Sequence, residues 1–186
     1  MLTPCVTGML LLLATRSATG LQPPVVPFAA TGTVQYAFTP GDHADDMIVA
    51  AIASARQQVL MQAYSFSHRR IADALVRARS RGVDVTVIAD HAQIRAGDPS
   101  TLVRDIARAG VPVLLDSQHT WAHNKVIVID AGRQDCAVVT GSFNFTYAAQ
   151  HRNAENVVIL RGNPPLCDAF RNNWMRDRAH SIPQRR

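Results

Sequence analysis

RGVDVTVIAD, residues 81–90, and AGVPVLLD, residues 109–116, decide the fold. Each puts a glycine behind a helix-like segment, then an apolar run, then a closing aspartate. Working outward, VLMQAYSF (59–66) reads as the preceding strand. Ser67 can cap a helix with Ile71, Ala74, Leu75 and Ala78 on one stripe, which Gly82 can end. Between the two runs, Asp98 and Pro99 suit the N-cap and first position of a helix with Leu102, Val103 and Ile106. Helix, glycine and buried strand, twice over, indicate βαβ units. Further out, TVQYAF (33–38) is a first strand. FTPGDHADD (38–46) turns into a helix carrying Ile48, Ala51, Ile52 and Ala55. Strands follow at about 123–130, 136–142 and 155–161. A last helix starts at Asn163–Pro164 and presents Leu166, Phe170 and Trp174. The expected class is α/β: one mixed, largely parallel β-sheet flanked by helices on both faces, in a single domain.

The 186 residues are 47% hydrophobic and 18% charged, which suits one globular domain, expected over 32–180. The formal charge of +5 favours polyanions (nucleic acid, anionic lipid or phosphorylated substrates) without choosing among them. MLTPCVTGMLLLLATRSATG, residues 1–20, reads as an export signal. Its apolar run, Val6 to Ala14, is too short for a membrane span and is soon followed by Arg16. Cleavage near 18–20 and a periplasmic or secreted location are expected, with an uncleaved anchor as the alternative. Residues 21–31 read as a linker and 181–186 as a flexible tail. Cys136 and Cys167 remain after the signal. Spacing does not show whether they meet, and two buried thiols are expected. No Cys/His cluster has zinc-site spacing, so neither metal nor cofactor is expected.

Eighteen of the 19 basic residues are arginine, and Lys125 is the only lysine; Glu155 is likewise the only glutamate among 14 acidic residues. Lys125 lies in HNKVIVID (123–130), where strand alternation puts His123 and Lys125 on one face, with Ile127 and Ile129 continuing it into the core. An imidazole beside an ammonium can offer a nucleophile or proton carrier next to fixed positive charge. Asp130 has the opposite parity and is expected to brace the turn. In TGSFNFT (140–146), Gly141 permits close backbone approach, while Ser142 and Asn144 offer a hydroxyl and an amide to phosphoryl oxygens. Glu155 opens another strand, and a carboxylate near an imidazole can fix its tautomer.

H-x-K-x4-D at 123–130, then G-S-x-N at 141–144, then Glu155–Asn156, resembles the phospholipase D superfamily, and best its small, single-motif, exported nonspecific endonucleases. The likeness runs from about residue 33 to 178. It implies the phospholipase D-like fold, with Lys125 binding phosphoryl oxygens as a compact charge and Glu155 hydrogen-bonded to His123. It also implies a homodimer, because this chain has one H-x-K and single-copy members pair two motifs across a two-fold axis. The implied reaction is metal-independent cleavage of DNA, or RNA, through a phosphohistidine. One His123 attacks phosphorus, and its mate protonates the leaving oxygen and then activates water. Two alternatives remain open. One is a hydrolase of anionic phospholipid, favoured if the N-terminal segment is an anchor. The other is a catalytically silent nucleic-acid-binding protein, for which His123 and Glu155 would be superfluous. No stable membrane association is expected after signal removal.

Histidines 43, 68, 91, 119, 151 and 180 are expected in loops or at the surface, with His119 outside the cleft. AHNK lacks the downstream residues of an H-N-H metallonuclease. Asp90 and Asp116 end parallel strands, where α/β sheets bind ligands, but are not expected to hold a metal. No aromatic platform for single strands and no base-reading motif are evident, so little sequence preference is expected.

Overall fold

A computed structural model describes residue 27, residues 29–95 and residues 101–184. The expected signal segment, most of the linker, and Asp98 and Pro99 lie outside them; the helix expected to start at Asp98–Pro99 begins at Val103, with Leu102 as its N-cap. Fourteen elements follow in chain order: β1 (Thr33–Thr39), α1 (Ala44–Ala53), β2 (Gln58–Ala63), α2 (Arg69–Ser80), β3 (Asp84–Asp90), α3 (His91–Arg95), α4 (Val103–Arg108), β4 (Val113–Asp116), β5 (Lys125–Ile129), β6 (Ala137–Gly141), α5 (Tyr147–His151), β7 (Glu155–Arg161), α6 (Pro164–His180) and β8 (Ile182–Pro183).

The eight strands form one mixed sheet in the order β1-β7-β6-β5-β2-β3-β4-β8. Its parallel share is smaller than expected: only β2–β3 and β3–β4 are parallel, and the other neighbours run antiparallel. The two Gly–strand–Asp runs do form the parallel part. Beyond β4 the links to β5 and β6 hold no helix to carry the chain back across the sheet, and short links favour antiparallel neighbours. Residues 182–183, expected in a loose tail, pair with Leu114 and Leu115 as the last strand.

Strand alternation builds two hydrophobic layers. Met61, Val85, Val87, Ile127 and Ile129 pack with Ile48, Ile52, Ile71 and Leu75 of α1 and α2. Leu60, Ile88, Val126 and Val128 meet Trp174 of α6 on the other face. The Trp174 indole donates to the Met61 carbonyl at 3.1 Å, so the ring buries its one polar atom satisfied. The Asn163 side chain caps α6 by accepting from the Leu166 amide at 3.2 Å, with proline in the first turn.

Helix α2 begins differently from expectation: His68, not Ser67, is its N-cap, and no side chain caps it. The amides of Ser67 and His68 both donate to the Phe145 carbonyl, so a distant loop ties down the residues just before the helix. His68 is also buried rather than at the surface. Desolvation pulls its pKa down despite Asp45 at 3.5 Å. Gly82 ends α2 with φ +88°, a left-handed conformation that favours glycine. Among the described residues no helix is long and apolar enough to cross a membrane.

Cys136 and Cys167 form a disulfide, with Cα atoms 6.5 Å apart, correcting the expectation of two thiols. The entry to β6 and the first turn of α6 meet beside Val138 and Phe170, a contact across 31 residues that spacing cannot reveal. The loop it closes implies a stabilisation of about 3–4 kcal/mol. Reduction, or Cys136→Ser, should therefore lower the unfolding free energy in urea by about that amount. An unchanged urea midpoint under reductant would count against the bridge.

Candidate active site

Both hydrophobic layers end at one edge of the sheet, where β2, β3, β4 and β6 finish and β5 and β7 begin. The antiparallel register there sets Ala63 opposite Lys125, and the Tyr64 amide donates to the Asn124 carbonyl. His123, just before β5, is thus held beside Tyr64, with ring centroids 4.4 Å apart. Its imidazole is exposed, and among the described residues neither ring nitrogen has a hydrogen-bond partner. Lys125 is only 8% exposed. Its ammonium lies 4.9 Å from the Tyr64 ring centroid and donates to the His123 carbonyl at 2.7 Å. That uses one of its three protons and leaves two for an anion. Burial pulls the Lys125 pKa down, and the negative charge of Glu155 opposes the shift.

Ser142 and Asn144 leave the sheet where buried Phe143 and Phe145 turn inward, so alternation turns the polar pair outward. Gly141 makes this possible. Its φ is +147°, and a Cβ there would lie 2.2 Å from the Asn156 carbonyl oxygen. Close packing lets the Ser142 and Phe143 amides donate to that oxygen. Ser142 Oγ donates to Glu155 at 2.6 Å and accepts from the Asn156 amide at 3.0 Å. The other Glu155 oxygen accepts from Asn153 at 3.1 Å. Glu155 is therefore bonded to Ser142 and Asn153, not to His123. Among the described residues the side-chain oxygen of Asn144 is buried without a hydrogen-bond partner, an uncommon state for a polar atom.

The Asp130 carboxylate accepts three backbone amides, from Arg56, Gln57 and Gln58, each at 2.8 Å. It lies at the far end of β5 and pins the strand rather than touching the site. Asp90 acts on the near side, accepting from Gln93 at 2.9 Å and from the Ala122 amide at 2.7 Å. It thereby fixes the residue before His123. A cavity of about 490 Å³ opens beside His123, walled by Gln62, Asp116, His119, Trp121 and Asp177 among others. His119, expected outside the cleft, lines it. Trp121 is 58% exposed and meets Tyr64 edge-on, an aromatic surface that sequence reasoning missed.

The family model described as "Cardiolipin synthase, PLD-like domain" matches residues 48–178, a span that contains every one of these side chains. The chain belongs to the phospholipase D superfamily. Within the superfamily, it is 36% identical over 148 residues to "Phospholipase D" of Rickettsia bellii, covering 80% of this chain and 70% of that one. "Mitochondrial cardiolipin hydrolase" of Xenopus tropicalis is 30% identical over 118 residues, 63% of this chain and 53% of that one. The crystal structure of the phospholipase D family member Nuc from Salmonella typhimurium superposes with a TM-score of 0.71 at 35% identity, covering 83% of this chain and 99% of Nuc. NucT from Helicobacter pylori shares the fold, with a TM-score of 0.70 at 21% identity and coverage of 82% and 99%.

Two of the superfamily-like site's supports carried little signal in the sequence. Tyr64 sits in AYSF, part of the family likeness but with no role assigned to its tyrosine, and its hydroxyl accepts from Gln93 at 3.0 Å. Asp90 reads as a strand terminus. Gly141→Ala is expected to cost roughly 1–3 kcal/mol of stability from backbone strain. It should also displace Ser142 from Glu155, seen as lost order at both residues. Wild-type stability in this variant would mean that Asn156 yields freely.

Proposed function

We propose that this chain is a metal-independent phosphodiesterase that cleaves DNA, or RNA, with little sequence preference, exported and working as a homodimer with one shared site. The observation that carries the reading is the exposed His123 imidazole, with no hydrogen-bond partner at either nitrogen among the described residues, beside the buried charge of Lys125. The chain has a single H-x-K. Displacement at phosphorus needs a nucleophile and an acid for the leaving oxygen, and one imidazole cannot serve both sides at once. A second His123, brought by an identical partner, supplies the missing group.

In this mechanism, neutral His123 attacks phosphorus, and the ester oxygen leaves with the proton of the partner's protonated His123. The phosphohistidine is then opened by water, which gives its proton back to that same second imidazole. Lys125 and Asn144 of each chain hold the non-bridging oxygens. Arginine would put a planar fork where a compact ammonium fits against Tyr64. Ser142, fixed by Glu155, adds a hydroxyl. With Glu155 bonded to Ser142, the ring of Tyr64 is the group that orients His123, and Glu155 acts through charge on Lys125.

Nucleic acid is supported by the formal charge of +5, which favours polyanions, and by the resemblance of the motifs at 123–130, 141–144 and 155–156 to the superfamily's single-motif endonucleases. Export is supported by the disulfide, which persists in oxidising compartments. A phospholipid substrate is the second reading, favoured by the name of the Rickettsia relatives.

Purified protein should nick supercoiled plasmid in excess EDTA, and His123→Ala should lose at least about a thousandfold in rate. Hydrolysis of cardiolipin vesicles without nicking would move the substrate to lipid. Full activity of a monomer would overturn the shared site. The Lys125 shift adds a pH test. Its folded pKa lies below the ordinary 10.5, so the folded chain gives up this proton first. Between the folded and unfolded values the unfolded state holds more protons, and this group's contribution to stability rises with pH. Phosphate binding is lost over the same window. Activity should fall on an alkaline limb below 10.5, without loss of thermal stability from this group.

A further inference from the structure

We infer that Asp116, His119 and His180 form a binding site for one divalent transition cation of the zinc class, separate from phosphodiester cleavage. The three residues come from the end of β4, the loop after it and the last residue of α6. One ligand atom from each lies within 4.8 Å of the other two. His119 Nδ1 is 2.8 Å and His180 Nε2 3.4 Å from the same oxygen, Asp116 Oδ2. Tetrahedral zinc with bonds near 2.0 Å sets ligand atoms about 3.3 Å apart, close to both carboxylate–imidazole distances, and bringing the two imidazole nitrogens to that spacing asks for a closure of at most about 1.5 Å.

The carboxylate is prepared for this arrangement. Asp116 is only 2% exposed, and its other oxygen accepts from the amides of Gln118 and His119 at 3.0 and 3.3 Å. That leaves Oδ2 aimed at the two imidazoles. On the C-terminal side, pairing of Leu115 with Ile182 fixes how far α6 extends past β4, and so places His180. The two rings meet edge-on at 5.2 Å. Asp177 adds negative charge close to His119 and lines the same cavity. Two imidazole nitrogens with one carboxylate oxygen suit zinc and its borderline neighbours over magnesium or calcium, which take oxygen ligands. Three protein ligands leave one position for water. The bound ion would clamp α6 to the end of the parallel strands, on the wall of the cavity that holds His123.

A second cluster, His43, Asp45 and Asp46, is a poorer candidate. Its two carboxylates already pair with Arg70, whose charge repels a cation. It serves as the internal control.

The test is titration of zinc chloride into the chelator-stripped full chain, read by competition with a chromogenic zinc indicator and by melting temperature. Wild type should take up one equivalent and melt several degrees higher, roughly as expected for a ligand that binds only the folded state. His119→Ala and His180→Ala should each weaken uptake at least about tenfold, whereas His43→Ala should not. His119→Gln keeps a donor for Asp116 while removing the ligand nitrogen, so it tests the site even if His119→Ala is poorly folded. Magnesium chloride should not compete. The inference fails if wild type takes up no zinc at micromolar concentration. It fails equally if His43→Ala abolishes uptake and the other variants do not.

Discussion

The register of β2 against β5 is the constraint from which the rest of the site follows. Ala63 opposite Lys125 puts Tyr64 under both the imidazole of His123 and the ammonium of Lys125. A slip of one residue would turn Lys125 to the α6 face and Val126 to the other, exchanging the two hydrophobic layers. Both ends of the pairing are pinned against that slip. Asp130 holds three amides of the β2 entry at one end, and the Tyr64 amide meets the Asn124 carbonyl at the other. A carboxylate remote from the chemistry thus decides where the chemistry can occur. Its positive φ of 51° belongs to this arrangement, since the chain must turn sharply for one side chain to reach three successive amides.

Burying the lysine is costly unless something favours its charge. Three features do so here: the ring of Tyr64, the His123 carbonyl and the negative charge of Glu155. Together they leave a cation that is partly desolvated and still has free protons. Such a cation attracts an arriving phosphate more strongly than a solvated surface lysine would. The same carboxylate holds Ser142, so one glutamate serves the hydroxyl directly and the ammonium through space. The rarity of both residue types in the composition accords with this division of labour.

What the sequence made legible was local. Alternation in HNKVIVID placed Ile127 and Ile129 on one layer with Val126 and Val128 on the other, and that is how the strand lies. The Gly–strand–Asp runs gave the parallel core, and Asn163–Pro164 the start of α6. Most of the differences involve partners distant along the chain. Ser67 looked like a cap because nothing nearby showed that its amide and that of His68 would be tied to the Phe145 carbonyl. The disulfide joins two elements brought together only by the sheet. Two-residue β8 is too short to have a period, and it exists because β4 offers an open edge. Glu155 was expected on His123; strand pairing of β6 with β7 delivers it to Ser142 instead.

The loop from 117 to 124 joins two places of opposite character. At its start, Asp116 and the nearby Asp177 make a negative wall, and two imidazoles converge on one carboxylate oxygen. At its end, Lys125 makes a positive floor beneath His123. Each end is tied by a buried aspartate at the tip of a parallel strand: Asp116 takes the amides of Gln118 and His119, and Asp90 takes that of Ala122. The two aspartates are themselves register partners. Both ends of the loop are therefore held by adjacent strand tips, and the β3–β4 register sets where its start lies relative to its end.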